Sequence, residues 1–186
     1  MKSCAPSRSA IVHAALLALG GFASTQAAVA QSASAPAAAA PARPAPCATA
    51  AHRQFDFWLG DWEVRQPDGT PVGRNAITAE YGGCVLHERY TTGRRYAGES
   101  LNAFDAARGI WHQTWVDNGG LLLLLEGGLR DGRMVMEGRT TGADGAVTRH
   151  RISWTPLADG SVRQHWETAP AEGDWSTAFD GRYVRR

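Results

Sequence analysis

From Gly60 onward the chain alternates short runs rich in Val, Ile, Thr, Trp, Tyr and Phe with turn chemistry. The turns fall at Asp68-Gly69, Gly82-Gly83, Gly93, Asp105 to Gly109, Asn118-Gly119, Asp131-Gly132, Asp144-Gly145, Asp159-Gly160 and Glu172-Gly173. Asn-Gly and Asp-Gly tolerate the positive φ angles of tight hairpin turns, so this spacing predicts consecutive antiparallel strands and not crossover helices. About ten strands fit between residues 60 and 186. No stretch after Gly60 carries a helical period. An up-and-down meander of this size removes its exposed edges most simply by closing on itself, so the fold class expected is an all-β, antiparallel up-and-down barrel.

The barrel is expected to open at Phe55-Asp56-Phe57-Trp58-Leu59-Gly60-Asp61-Trp62-Glu63-Val64, where four aromatics fall within eight residues. Phe55, Phe57 and Leu59 alternate with Asp56 and Trp58, the period of a half-buried strand or its lead-in. Gly60 removes a side chain where the backbone must pass closely before Trp62.

Two-residue turns would fix which residues face each other across the hairpins. A turn at Asn118-Gly119 pairs Gln113 with Leu124 and Trp115 with Leu122. One at Asp131-Gly132 pairs Glu126 with Glu137, one at Asp144-Gly145 pairs Glu137 with Ile152, and one at Asp159-Gly160 pairs Trp154 with His165 and Ile152 with Glu167. One sheet face then carries Trp111, Gln113, Trp115, Leu122, Leu124, Glu126, Val135, Glu137, His150, Ile152, Trp154, Arg163, His165 and Glu167. The other carries His112, Thr114, Val116, Leu121, Leu123, Leu125, Met134, Met136, Arg151, Val162, Gln164 and Trp166.

Neither face is cleanly apolar, as one would be around a solid core. The first has the composition of a cavity for a polar or amphipathic ligand, with aromatic walls and a few orienting polar groups. The expected ligand-binding set is therefore Trp111, Gln113, Trp115, Trp154, Glu137, His165 and Glu167. In the opposite assignment this face is solvated, and the leucines and methionines of the other fill the core. A register slip in any hairpin would exchange the faces beyond it.

Glu126, Glu137 and Glu167 in one row would raise one another's pKa, a route to a general acid or base, so an enzyme is an alternative reading. Solvated carboxylates neutralised by Arg139 and Arg163 explain the same residues. His150 and His165 lack a tight ligand spacing, and no metal or other cofactor is assigned. No nucleotide-binding glycine loop or nucleophile elbow occurs. Lys2 is the only lysine in the 186 residues. A third reading is an envelope interaction module, or a homodimer, built on the ridge from Leu121 to Leu125.

Composition divides the chain. Met1 to Ala30 reads as a secretory signal, with Lys2 and Arg8 in the basic head, an apolar run from Ile11 to Ala23 too short to span a bilayer, and Ala28-Val29-Ala30 before the cut. The Ala/Pro/Ser-rich segment 31–51 reads as a disordered linker, and 52–186 as the barrel domain. The protein is thus expected in the periplasm or secreted, without a stable membrane span. Loss of the signal leaves seventeen basic against eighteen acidic residues, so nucleic acid is not an expected partner and a small molecule is. Cys47 and Cys84, the two cysteines left in an oxidising compartment, are expected to form a disulfide.

Gly60-Asp61-Trp62 resembles the Gly-x-Trp that opens lipocalin and wider calycin barrels. The longer set resembles one family of secreted bacterial proteins of unknown function, thought to be lipocalin-like. It comprises Phe-Asp-Phe-Trp-Leu-Gly-Asp-Trp, Gly83-Cys84, Ser100-Leu101-Asn102, Trp111 to Asp117, Arg163 to Glu167 and the ending Phe179 to Arg186, and spans about residues 47 to 186. The resemblance implies the fold and the compartment but no ligand. It also implies that Trp62 plugs the barrel base against an arginine of the last strand, Arg182 or Arg185. Some related barrels hold haem through a single histidine.

Overall fold

The computed structural model describes residues 45–93 and 95–186, so the expected signal and most of the linker lie outside the described residues. Ten strands follow three 3₁₀ turns or enclose them. They are β1 (Gly60–Arg65), β2 (Pro71–Glu80), β3 (Val85–Thr91), β4 (Ala97–Asp105), β5 (Ile110–Asp117), β6 (Leu122–Arg130), β7 (Arg133–Thr141), β8 (Val147–Pro156), β9 (Val162–Pro170) and β10 (Ser176–Arg185). Each pairs antiparallel with its sequence neighbours, and β1 pairs with β10, which closes the barrel. Closure satisfies both edges of the sheet, so none of the described strands is left as a template for aggregation.

The predicted opening strand starts later than the alternation suggested. Asp56–Trp58 is a 3₁₀ turn, and the strand begins at Gly60. Phe55 and Trp58 are fully buried, stacked at 4.9 Å, and meet Trp154 at 5.2 and 5.4 Å. The Trp111 indole N–H donates to Gln54 Oε1 at 3.2 Å, and Trp62 Nε1–H donates to the Trp58 carbonyl at 2.9 Å. The segment ahead of β1 therefore folds as an aromatic plug across one end of the barrel.

A disulfide holds that plug. Cys47 and Cys84 are bonded, with Cα atoms 5.0 Å apart, as the sequence led us to expect. Cys84 follows the 3₁₀ turn Tyr81–Gly83 between β2 and β3. Arg53 donates to the carbonyls of both Cys47 and Gly83, which ties the two segments a second time.

Trp62 is fully buried, and the guanidinium over its ring belongs to Arg185, 4.4 Å from the centroid. Arg182 does not take the role offered to it. Trp62 pairs across the sheet with Arg185, and strand alternation then turns Tyr183 and Arg185 inward and Arg182 outward. Arg182 instead donates to Asp159 and to Ser161 Oγ. At Gly60, with φ +146°, a Cβ would stand 2.6 Å from the Arg185 guanidinium and 3.2 Å from the Trp62 ring.

The hairpin turns correct the predicted register. Asp131-Gly132 is a two-residue turn with φ values of 50° and 77°, and Glu126 does face Glu137. The other three turns contain three residues. Asp117 N donates to the Leu121 carbonyl, Gly142 N to Ala146 and Leu157 N to Ser161, with a positive-φ glycine last in each loop. Each such turn displaces the pairing by one residue and so exchanges the faces beyond it. Gln113 consequently faces Leu125, Met136 faces Ile152, and Trp154 faces Gln164.

Two changes in stability follow. Trp62→Ala should lower the unfolding free energy by about 3 to 5 kcal/mol. Cys84→Ala should lower it by about 3 to 4 kcal/mol, because it releases a loop of 37 residues in the unfolded chain. Urea unfolding measures both, and a loss below 1 kcal/mol in either would contradict the role given to that residue.

Candidate functional site

The displaced registers sort the predicted site residues onto two faces. Trp111, Gln113 and Trp154 are buried in the interior, with Trp115 beside them. Between them the turns after β5 and β7 each displace the register, and the two displacements cancel at β8. Leu123, Leu125, Met134 and Met136 thus share the interior with the tryptophans, and each predicted face contributes part of the core. The turn after β8 is not compensated. It sends His165 and Glu167 to the outer face and brings in Gln164 and Trp166. Glu137 is also outside and exposed.

The row of three glutamates does not form as expected. On the outer face Arg151 of β8 stands between Glu137 and Glu167, and donates to both Glu167 oxygens at 3.0 and 3.1 Å. The Arg151 hydrogen bonds hold the Glu167 carboxyl below the usual carboxylate range, and Arg108 does the same for Glu126. These shifts run opposite to the one that stacked carboxylates would give. His165 bonds Thr177 Oγ1 at 3.0 Å and His150 is buried on the inner face, so the two histidines are not brought together. Among the described residues no group of three or more His, Cys, Asp or Glu side chains is placed to hold a metal ion.

The interior contains a cavity of about 220 Å³. Its walls are aromatic, from Tyr90, Trp115, Trp154, Trp166, Phe179 and Tyr183, with Leu123 and Ile152. Tyr96 and Ala178, both exposed, mark its mouth, at the end of the barrel opposite the plug. The Trp115 ring can lie across β4 because residue 98 is glycine; a Cβ there would be 2.3 Å from the ring.

Three polar side chains converge on the cavity: Glu88, Gln113 and Gln164. Glu88 is 3% exposed. Its Oε1 accepts from Asn75 Nδ2 at 2.7 Å and its Oε2 from Ser100 Oγ at 2.6 Å. Asn102 Nδ2 donates to Ser100 Oγ at 2.9 Å, and Gln113 Nε2 donates to Asn102 Oδ1 at 2.8 Å. Inward positions of four adjacent strands, β2 to β5, thus form one polar chain ending in a buried carboxyl. Burial pushes that carboxyl up to about 7, against the pull of the Ser100 and Asn75 hydrogen bonds.

A second polar pair lies on the inner face. The Trp166 indole can only donate, and it donates to His150 Nδ1 at 3.2 Å. His150 must therefore be neutral with its proton on Nε2, which reaches Thr140 Oγ1 at 2.9 Å. Burial lowers the His150 pKa to match.

Glu88, Tyr90, Gln164 and Trp166 were not among the predicted site residues. The signal for the first two is present in Leu86-x-Glu88-x-Tyr90, which alternates in phase with Ser100-x-Asn102 on the neighbouring strand, but no turn argument tied these strands to Gln113. Gln164 and Trp166 were assigned to the opposite face by the turn at Asp159-Gly160. The outer face carries a different feature: Leu101, Val116, Leu122 and Leu124, each about half exposed, adjoin one another on β4, β5 and β6.

The sequence matches no family model, and comparison with curated proteins gives no match.

Glu88 makes stability depend on pH in a stated direction. Its carboxyl, ordinarily near 4.5, is raised in the folded state. The folded protein keeps a proton that the unfolded chain releases, so this stabilisation is complete below about pH 4.5 and lost as pH rises through about 7. His150, whose pKa is lowered, acts the other way and reduces stability as pH falls below about 6.5. Urea unfolding of wild type and Glu88→Gln at pH 5 and pH 8 isolates the Glu88 contribution. The wild type should lose about 2 to 3 kcal/mol more than the variant between the two pH values. Equal changes would mean that Glu88 is not held protonated.

Proposed function

We propose that this protein is an exported barrel that binds a small, flat, largely apolar ligand in its interior. The observation that carries the reading is the cavity itself: aromatic walls on several strands, open at one end, around a short row of polar groups. Binding sites for small molecules have this form, with apolar area for affinity and a few polar groups for orientation. The likeness to secreted lipocalin-like proteins supports it. So does the disulfide, which fits an oxidising compartment, and among the described residues no helix is long and apolar enough to cross a membrane.

Of the residues predicted from sequence, Gln113, Trp115 and Trp154 line the cavity and are retained as ligand contacts. Glu137, His165 and Glu167 are replaced by Glu88, Gln164 and Trp166. Trp111 belongs with the plug, where it meets Phe55 at 5.7 Å.

A second reading uses the outer face. The adjoining Leu101, Val116, Leu122 and Leu124 form an apolar patch of the kind that marks interaction surfaces. Sedimentation of the wild type and of Leu122→Ser with Leu124→Ser tests it, and a monomer at every concentration would remove self-association.

The binding reading is tested with 1-aminoanthracene, a flat neutral fluorophore. Its emission should rise on addition of the protein, and tryptophan emission should fall. Trp115→Ala with Trp166→Ala should weaken binding at least tenfold, whereas Glu137→Ala with His165→Ala should leave it unchanged. No emission change with the wild type, or equal loss in both double variants, would overturn the assignment.

A further inference from the structure

The cavity's polar groups are unequal in what they offer a ligand. Five of its donors are already engaged within the protein. Gln113 Nε2–H reaches Asn102, the Tyr183 hydroxyl reaches Gln164, and Trp166 Nε1–H reaches His150. Trp115 Nε1–H and the Tyr96 hydroxyl both reach Asp117 Oδ2, at 3.1 and 2.7 Å. Trp154 Nε1–H has no partner.

The acceptors are differently placed. An ionised carboxylate has about four lone-pair sites, and Asn75 and Ser100 occupy one on each Glu88 oxygen. Asn75 Oδ1, beside it, is buried without a donor. No ion pair compensates Glu88 among the described residues. Glu88 therefore has no paired cation and one donor on each oxygen, Asn75 Oδ1 has none, and the surroundings are rings whose faces attract cations.

Resting on the ligand-binding reading above, we propose that the cavity takes a protonated primary amine carried on a flat, aryl-sized body, with the ammonium seated against the Glu88 carboxylate. The ammonium supplies the absent charge, and its N–H groups meet the free Glu88 lone pairs. The aryl body lies among Tyr90, Trp115, Trp166 and Phe179. A cavity of about 220 Å³ suits an arylalkylamine and leaves little space beyond it.

Without a ligand Glu88 is mainly the acid below about pH 7, the value to which burial raises its carboxyl. An entering ammonium displaces that proton, so binding releases one proton to solvent where the acid predominates. Of the groups that face Glu88 none other titrates in this range; His150, behind Trp166 on the cavity wall, is the further inner-face group that does. Tyr90 on β3 and Tyr183 on β10 are phenols whose pKa burial raises. The other neighbours, Asn75 of β2, Ser100 and Asn102 of β4, Gln113 of β5 and Gln164 of β9, carry no charge. Trp62 and Val64 of β1 are neutral as well. His87 adjoins Glu88 on β3 but lies on the outer face between Glu80 and Glu99.

Calorimetry with three matched probes tests the proposal: 2-phenylethylamine, neutral 2-phenylethanol and anionic 3-phenylpropanoate. At pH 8 the amine should bind at least tenfold more tightly than the alcohol, and the anion more weakly than either. Its affinity relative to that of the alcohol should fall about 100-fold between pH 8 and pH 5, since Glu88 then returns to the acid. At pH 6, buffers of different ionisation enthalpy should report close to one proton released. E88Q should bind amine and alcohol alike. If E88Q fails to fold, the wild-type pH series and proton count decide. Equal binding of amine and alcohol, a preference that survives in folded E88Q, or an affinity independent of pH would overturn the proposal. If 1-aminoanthracene binds and millimolar 2-phenylethylamine does not displace it, the amine assignment fails and the ligand-binding reading stands. If 1-aminoanthracene itself does not bind, both fail.

Discussion

The number of residues in each hairpin turn governs this structure more than any single contact does. Side chains on a strand alternate between the two faces, so one added residue in a turn exchanges the core and solvent faces of every strand that follows until another turn restores them. Three turns between β5 and β9 carry the third residue, with glycine in the left-handed conformation at the end of each, and only Asp131-Gly132 does without it. The composition of the cavity is a consequence. Gln164 and Trp166 enter it, and His165 and Glu167 leave it, because Gly160 closes a turn of three residues and not of two.

The closed end depends on a second constraint, the supply of aromatic area ahead of the first strand. Phe55 and Trp58 fill the barrel base against Trp154, Trp62 and Tyr183, and the disulfide with Arg53 keeps that segment in place. A barrel plugged in this way by its own lead-in is left open only at the other end. Among the described residues the cavity opens beside Tyr96 and is lined further in by Glu88.

Burial of that glutamate distinguishes this lining from ordinary core. A carboxyl removed from water with only neutral hydrogen-bond partners disfavours its charged form, which is why its pKa rises although Asn75 and Ser100 both donate to it. On the outer face the same residue type behaves oppositely. Glu167, paired with Arg151, is held below its usual range. The two environments separate groups that the sequence presents as alike.

Local chemistry, read from the sequence by itself, determined a good deal. Strand-forming runs and Asp-Gly or Asn-Gly turns specify an antiparallel meander of ten strands, because those residues fix the local backbone wherever they stand. The disulfide was legible because Cys47 and Cys84 are the two cysteines left once residues 1–30 are read as a secretory signal. Gln113, Trp115 and Trp154 were legible as interior residues, the last because two register displacements cancel before β8. The tertiary structure alone decided the rest. Whether Asp-Gly ends a turn of two residues or three depends on the twist and pairing of the strands it joins, and Arg185 rather than Arg182 covers Trp62 because of the pairing between β1 and β10. Glu88 is a residue type found mostly on surfaces, and its alternation with Leu86 and Tyr90 does not say on which face of the sheet they lie. Only the closure of ten strands around it removes it from water, and that closure is a property of the whole chain.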